Sequence, residues 1–74
     1  MKIKRKKLNL YDIINSEEDL FSIPIEKGRR CLFIRKEREG YFYLYIEGKN
    51  GRFHMGIFNL KELDFILNKL QSNR

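Results

Sequence analysis

The residues with the most to offer chemically sit in one run, Tyr41-Phe42-Tyr43-Leu44-Tyr45-Ile46. Its odd positions are all tyrosine, and its even positions are phenylalanine or aliphatic. Successive side chains of an extended strand point to opposite faces. Phe42, Leu44 and Ile46 are therefore expected on a buried face, and Tyr41, Tyr43 and Tyr45 on the other. Three phenol rings in a row offer stacking rather than acid–base work. A nucleobase on such a ring gains about 1–3 kcal/mol, and the aromatic side chain of a partner protein is held by the same forces. An uncovered apolar row of this kind marks a surface that meets something.

Reaction chemistry has less to draw on. The chain has one histidine, His54, and one cysteine, Cys31. It has no Ser-His-Asp set and no carboxylate pair in a recognisable context, so enzyme activity is not expected. One cysteine makes neither an internal disulfide nor a zinc site, and no metal or other cofactor is expected. Gly48 and Gly51 lack the spacing and the lysine of a phosphate-binding loop.

Length and charge narrow the partner classes. Seventy-four residues make at most one small domain, and a domain near this size buries only about 60% of its unfolded surface. Pairing with a second copy is a common remedy. A 42% share of hydrophobic residues is enough for a folded chain. No apolar run approaches the ~20 residues that span a membrane. The basic N-terminus has no apolar segment behind it, as a secretory signal would, and the expected location is cytoplasmic. The formal charge is +6, and Lys2, Lys4, Arg5, Lys6 and Lys7 supply most of it. Residues 1–9 therefore read as a basic flexible arm and residues 10–74 as the domain. Such an arm attracts polyanions through counterion release, or serves only as a solubilising end.

The elements that must carry these side chains follow in order. In residues 10–26, Leu10, Ile13 and Ile14 suit a helix, and Ser16 to Asp19 a turn or a helix start. Phe21, Ile23 and Ile25 alternate like a strand, which Pro24 confines to an edge or a bulge because it cannot donate to a ladder. After a turn at 27–29, a strand over 30–37 passes through Arg38-Glu39-Gly40 into the tyrosine strand. That loop suits a hairpin whose third residue is left-handed. Pairing Glu37 with Tyr41 sets Ile34 against Leu44, Leu32 against Ile46, Phe33 against Tyr45 and Arg35 against Tyr43. A second turn at 48–51 leads to a strand over 52–58. Core parity there sets Phe53 against Ile46, Met55 against Leu44 and Ile57 against Phe42. His54 then falls beside Tyr45, Phe58 beside Tyr41, and Gly56 beside Tyr43, leaving a gap for a flat group. Residues 60–71 have the spacing of an amphipathic helix, with Asn59 as N-cap and Glu62 completing a capping box. Its apolar stripe, Phe65 included, is wide enough to invite a second chain. The expected fold class is α+β: a four-stranded antiparallel sheet followed by a C-terminal helix that covers the aliphatic face.

The open face would then gather Phe33, Arg35, Tyr41, Tyr43, Tyr45, Arg52 and His54, a surface of rings and cations. Bases of a single strand stack on rings while Arg and Lys track phosphates, and a duplex hides its base faces. Tyr and Arg are also enriched where proteins meet proteins. Both partner classes stay open on the residues alone.

The order strand–strand–strand–strand–helix around this block resembles the PUR repeat of purine-rich single-stranded nucleic-acid-binding proteins. The counterparts are residues 19–26, 30–37, 40–47, 52–58 and 59–71. The resemblance implies that two copies intertwine as a homodimer. It further implies binding of single-stranded DNA and RNA with a purine-rich preference, some duplex DNA binding, and a role in transcription or RNA regulation. Arg35 stands where the family has a basic contact residue at the end of its second strand, with Lys36 and Arg38 close by. Phe42 aligns with the family's aromatic residue after the glycine turn, whereas strand parity assigns Phe42 to the core. Glu37 and Glu39 stand where the family tends to have Asn and Arg. A similar element order occurs in positive-cofactor-four coactivators and Whirly proteins, which also bind single strands. The nucleic-acid-binding residues expected are thus Phe33, Arg35, Lys36, Arg38, Tyr41, Phe42, Tyr43, Tyr45, Arg52 and His54, with Lys2, Lys4, Arg5, Lys6 and Lys7 of the arm.

Overall fold

The structure, a computed structural model, describes residues 8–72. The chain runs α1 (Leu10–Ile14), β1 (Leu20–Ile25), a 3-10 turn (Glu26–Gly28), β2 (Arg30–Arg38), β3 (Tyr41–Gly48), β4 (Gly51–Asn59) and α2 (Leu60–Ser72). The strands form one sheet in the order β1-β2-β3-β4, every pair antiparallel. This is the α+β arrangement that the alternation and helix spacing predict. β1 is an edge strand, the place where Pro24 does no harm to a ladder. No helix among the described residues is long and apolar enough to cross a membrane.

Both helices start from reciprocal caps. The Asn59 side chain accepts from the Glu62 N–H at 2.8 Å, and the Glu62 carboxylate accepts from the Asn59 N–H at 2.9 Å. Asn9 and Asp12 do the same for α1, at 3.0 and 3.1 Å. Each box satisfies donors that a helix start otherwise leaves orphaned. Leu8 is tied to the end of α2: its N–H donates to Gln71 Oε1 at 2.8 Å, and Gln71 Nε2 donates to its carbonyl. Residues 8 and 9, which composition groups with the basic arm, thus belong to the fold. Lys2, Lys4, Arg5, Lys6 and Lys7 lie outside the described residues.

The core is a single cluster on one face of the sheet. Ile23, Leu32, Ile34, Phe42 and Leu44 project from the strands and meet Ile13 of α1 with Leu63 and Leu67 of α2. Burying each such side chain is worth about 1.5–3 kcal/mol. Phe65 does not join them; it is 65% exposed on the far side of α2.

The pairing of β2 with β3 matches the predicted register from Arg30 opposite Gly48 to Lys36 opposite Phe42. Only the hairpin end differs, where Arg38 rather than Glu37 faces Tyr41 and Glu37 is the extra residue of a bulge. β4 departs further. Phe53 faces Ile46 and His54 faces Tyr45 as parity requires, but Gly56 then faces Leu44, leaving Met55 as an extra residue. Beyond that bulge the parity inverts. Ile57 lies opposite Tyr43 and Phe58 opposite Phe42, so the expected pairings of Met55 with Leu44, Ile57 with Phe42, Gly56 with Tyr43 and Phe58 with Tyr41 do not occur. The physical reason is Gly56, whose φ of +120° suits glycine and few other residues. With it, the larger Phe58 packs against the core and Ile57 is left 59% exposed.

Candidate functional site

Three strands deliver the open face. β2 supplies Phe33 and Arg35, β3 supplies Tyr43 and Tyr45, and β4 supplies Arg52 and His54. Phe33 and Tyr45, directly opposite across the ladder, stack with ring centroids 5.0 Å apart and planes 7° from parallel. Tyr43 leans on Tyr45 at 5.8 Å, and His54 touches both tyrosine rings at 5.8 and 6.1 Å. The Tyr43 hydroxyl is hydrogen-bonded to His54 Nδ1. These contacts join half-buried Phe33, Tyr43 and Tyr45 and exposed His54 into one platform whose members hold one another in place. Offset aromatic pairs gain about 0.5–1.5 kcal/mol beyond their buried area.

A guanidinium sits over the platform at each side. Arg35 lies 5.0 Å from the Tyr43 ring centre and Arg52 lies 4.7 Å from that of Tyr45. Glu37 holds Arg35 at 2.9 Å and Glu47 holds Arg52 at 3.4 Å. Side chains in these pairs are about one-third to one-half exposed, and ion pairs so open to water are worth about 0–1 kcal/mol. A phosphate could take the place of either carboxylate at small cost, with the arginine already in position. An arginine over a ring adds a further attraction for a base stacked alongside.

The structure brings together Phe33, Arg35, Tyr43, Tyr45, Arg52 and His54, and leaves the other candidates apart. Tyr41 stands at the β2–β3 hairpin with Arg38 5.3 Å over its own ring. Lys36 is turned to the helix side, where Nζ donates to the Ser16 carbonyl at 2.6 Å and lies 5.7 Å from the Phe21 ring. Phe42 is 3% exposed and part of the core, so its ring is not offered to a ligand. Strand parity, not the family resemblance, gives the placement of Phe42. Ile57 is the residue that sequence reasoning missed on this face; the signal was Gly56, since a lone glycine in a strand often marks a bulge. The gap expected beside Tyr43 is filled by Ile57 instead.

The arrangement is a cluster of half-buried rings bordered by cations, with a guanidinium over each of Tyr43 and Tyr45. Among the described residues, no three His, Cys, Asp or Glu side chains gather to hold a metal ion. Cys31, half-buried on β2, is a free thiol. No protein-family model, curated protein or solved structure matches this chain. The likeness to PUR repeats thus rests on element order and residue pattern alone.

Proposed function

We propose that the chain binds single-stranded nucleic acid on the ring face of its sheet, and that it acts without catalysing a reaction. A base stacks on Tyr43 or Tyr45 in place of the guanidinium that lies over it, and the displaced Arg35 and Arg52 exchange their carboxylate partners for phosphates. The observation that carries this reading is the Phe33–Tyr45–Tyr43–His54 platform with a guanidinium over each tyrosine. Stacking accepts any base, so affinity comes from the rings, and the purine-rich preference is what the PUR resemblance implies. The basic run from Lys2 to Lys7 adds sequence-independent attraction.

The same reading takes the chain to be a cytoplasmic homodimer acting in transcription or RNA regulation, as the PUR resemblance implies. Its support for pairing is the apolar surface that α2 leaves outside the core: Leu60, Phe65 and Leu70.

Titration with a purine-rich single strand at two salt concentrations tests the mechanism. Tyr43→Ala combined with Tyr45→Ala should weaken binding at least tenfold, since each stacked base is worth about 1–3 kcal/mol. The salt slope should barely change. Deleting residues 2–7 should flatten the slope instead. Intact affinity in a folded double tyrosine variant would refute the stacking role.

One observation favours a second reading. Ile57 is an aliphatic side chain 59% exposed among the rings, which suits the core of a protein–protein interface better than a base platform. On that reading the ring face docks a protein, and no oligonucleotide binds at about 150 mM salt, where weak charge attraction fades.

A further inference from the structure

A cleft lies on the other side of the sheet, at the end that α2 leaves uncovered. Its volume is about 690 Å³, and it sits between the β1–β2 turn and the β3–β4 turn. Ile46 and Phe53 face each other across the ladder there, on the parity of the core. Phe53 is nevertheless 63% exposed, the largest apolar side chain that the sheet offers to solvent on that side. Strand alternation explains the pair of surfaces: Arg52 points to the rings, so the next residue, Phe53, points the other way.

The cleft is strongly basic in a body that is not. Arg29, Arg30 and Lys49 line it with a single carboxylate, Glu26, while Arg52 borders it with its guanidinium on the ring side. Residues 8–72 as a whole carry ten Lys and Arg against ten Asp and Glu, so positive charge is concentrated here. Glu26 is taken up by Arg30, which is bonded to it and holds its carboxyl below the ordinary range, chiefly through that hydrogen bond. Arg30 in turn lies across Gly48, where even a methyl group would sit 2.6 Å from Arg30 Cγ. Among the described residues, neither Arg29 nor Lys49 forms a salt bridge.

We infer that this cleft holds a further nucleotide of the same single strand that crosses the ring face, its base against Phe53 and its phosphate between Arg29 and Lys49. The inference rests on the proposed ring-face function. Two observations select this occupant over others. The cleft has the charge of a phosphate site beside an exposed ring, the combination that single-strand grooves use. Its lining also includes Arg52, whose guanidinium lies 4.7 Å over Tyr45 on the ring side, so the two surfaces adjoin at that residue. A strand leaving Tyr45 therefore passes around the Lys49-Asn50 turn with cations along its path.

Fluorescence anisotropy with two purine-rich oligonucleotides tests this. One has about four bases, enough for the platform, and one about ten. The full chain should bind the longer strand roughly tenfold more tightly, the order of one added stacked base. Phe53→Ala, and separately Arg29→Ala with Lys49→Ala, should abolish that gain and leave the short strand unaffected. The chain has no tryptophan, so Phe53→Trp gives an isolated reporter, which should be quenched by the longer strand only. Equal affinity for the two lengths, or a gain that survives Phe53→Ala, overturns the cleft while leaving the ring face standing. An indole signal from the Phe53→Trp variant that changes with protein concentration alone means that a second copy occupies the cleft, and overturns it too. Failure of the short strand to bind the unmodified chain refutes the ring-face reading, and the cleft proposal with it.

Discussion

The two neighbours of β3 treat it differently. β2 runs beside it in unbroken register for seven pairs, from Arg30 opposite Gly48 to Lys36 opposite Phe42. β4 keeps step from the turn only as far as His54, then gains a residue at Met55 and reverses its faces. Where the register holds, the two faces are cleanly sorted: Leu32, Ile34 and Leu44 are inside while Phe33 and Tyr45 stack outside. Where it breaks, an aliphatic side chain is delivered to the ring face and an aromatic one to the core. The difference shows that strand parity is a rule about unbroken strands, and that one glycine can cancel it.

Four experiments can break or sharpen that contrast. The largest effect is expected on the regular side. Leu44→Ala removes a fully buried side chain and should cost about 2–5 kcal/mol in chemical denaturation. Next comes the pair that the bulge exchanges. Phe58→Ala should cost about 2 kcal/mol or more for its half-buried ring, and Ile57→Ala less than about 0.5 kcal/mol for its exposed side chain. An unbulged β4 would reverse that ranking. Gly56→Ala meets no neighbour within 4 Å but must adopt a φ of +120°, so a loss of about 1–3 kcal/mol is expected from backbone strain alone. The smallest effect concerns binding. Glu37→Gln with Glu47→Gln frees both platform arginines and should tighten oligonucleotide binding a few-fold, with stability within about 1 kcal/mol of the unmodified chain.

Much of this architecture was legible in the residues. The alternation from Tyr41 to Ile46 located the ring face and the core face, and Asn59 with Glu62 located the start of α2. The site was legible as far as it lies on β2, β3 and the first half of β4. Ile57 was not, because a repeating pattern cannot reveal an inserted residue when the residues after it, Ile57 and Phe58, are both apolar. Phe53 was misjudged for another reason. Parity says which face a side chain takes, but not how far a helix of 13 residues reaches across that face. Lys36 is a different case: parity, which pairs it with Phe42, already puts it on the helix side, and only the resemblance counted it with Arg35.

The central claim is that the rings, and not α2, receive a short strand. Aromatic-region NMR during titration with a short purine-rich single strand tests it residue by residue. The ring signals of Phe33, Tyr43, Tyr45 and His54 should shift together and saturate at one affinity, while those of the buried Phe42 and the α2 residue Phe65 stay in place. Shifts confined to Phe65, or none in the four platform rings at saturating oligonucleotide, would contradict the account.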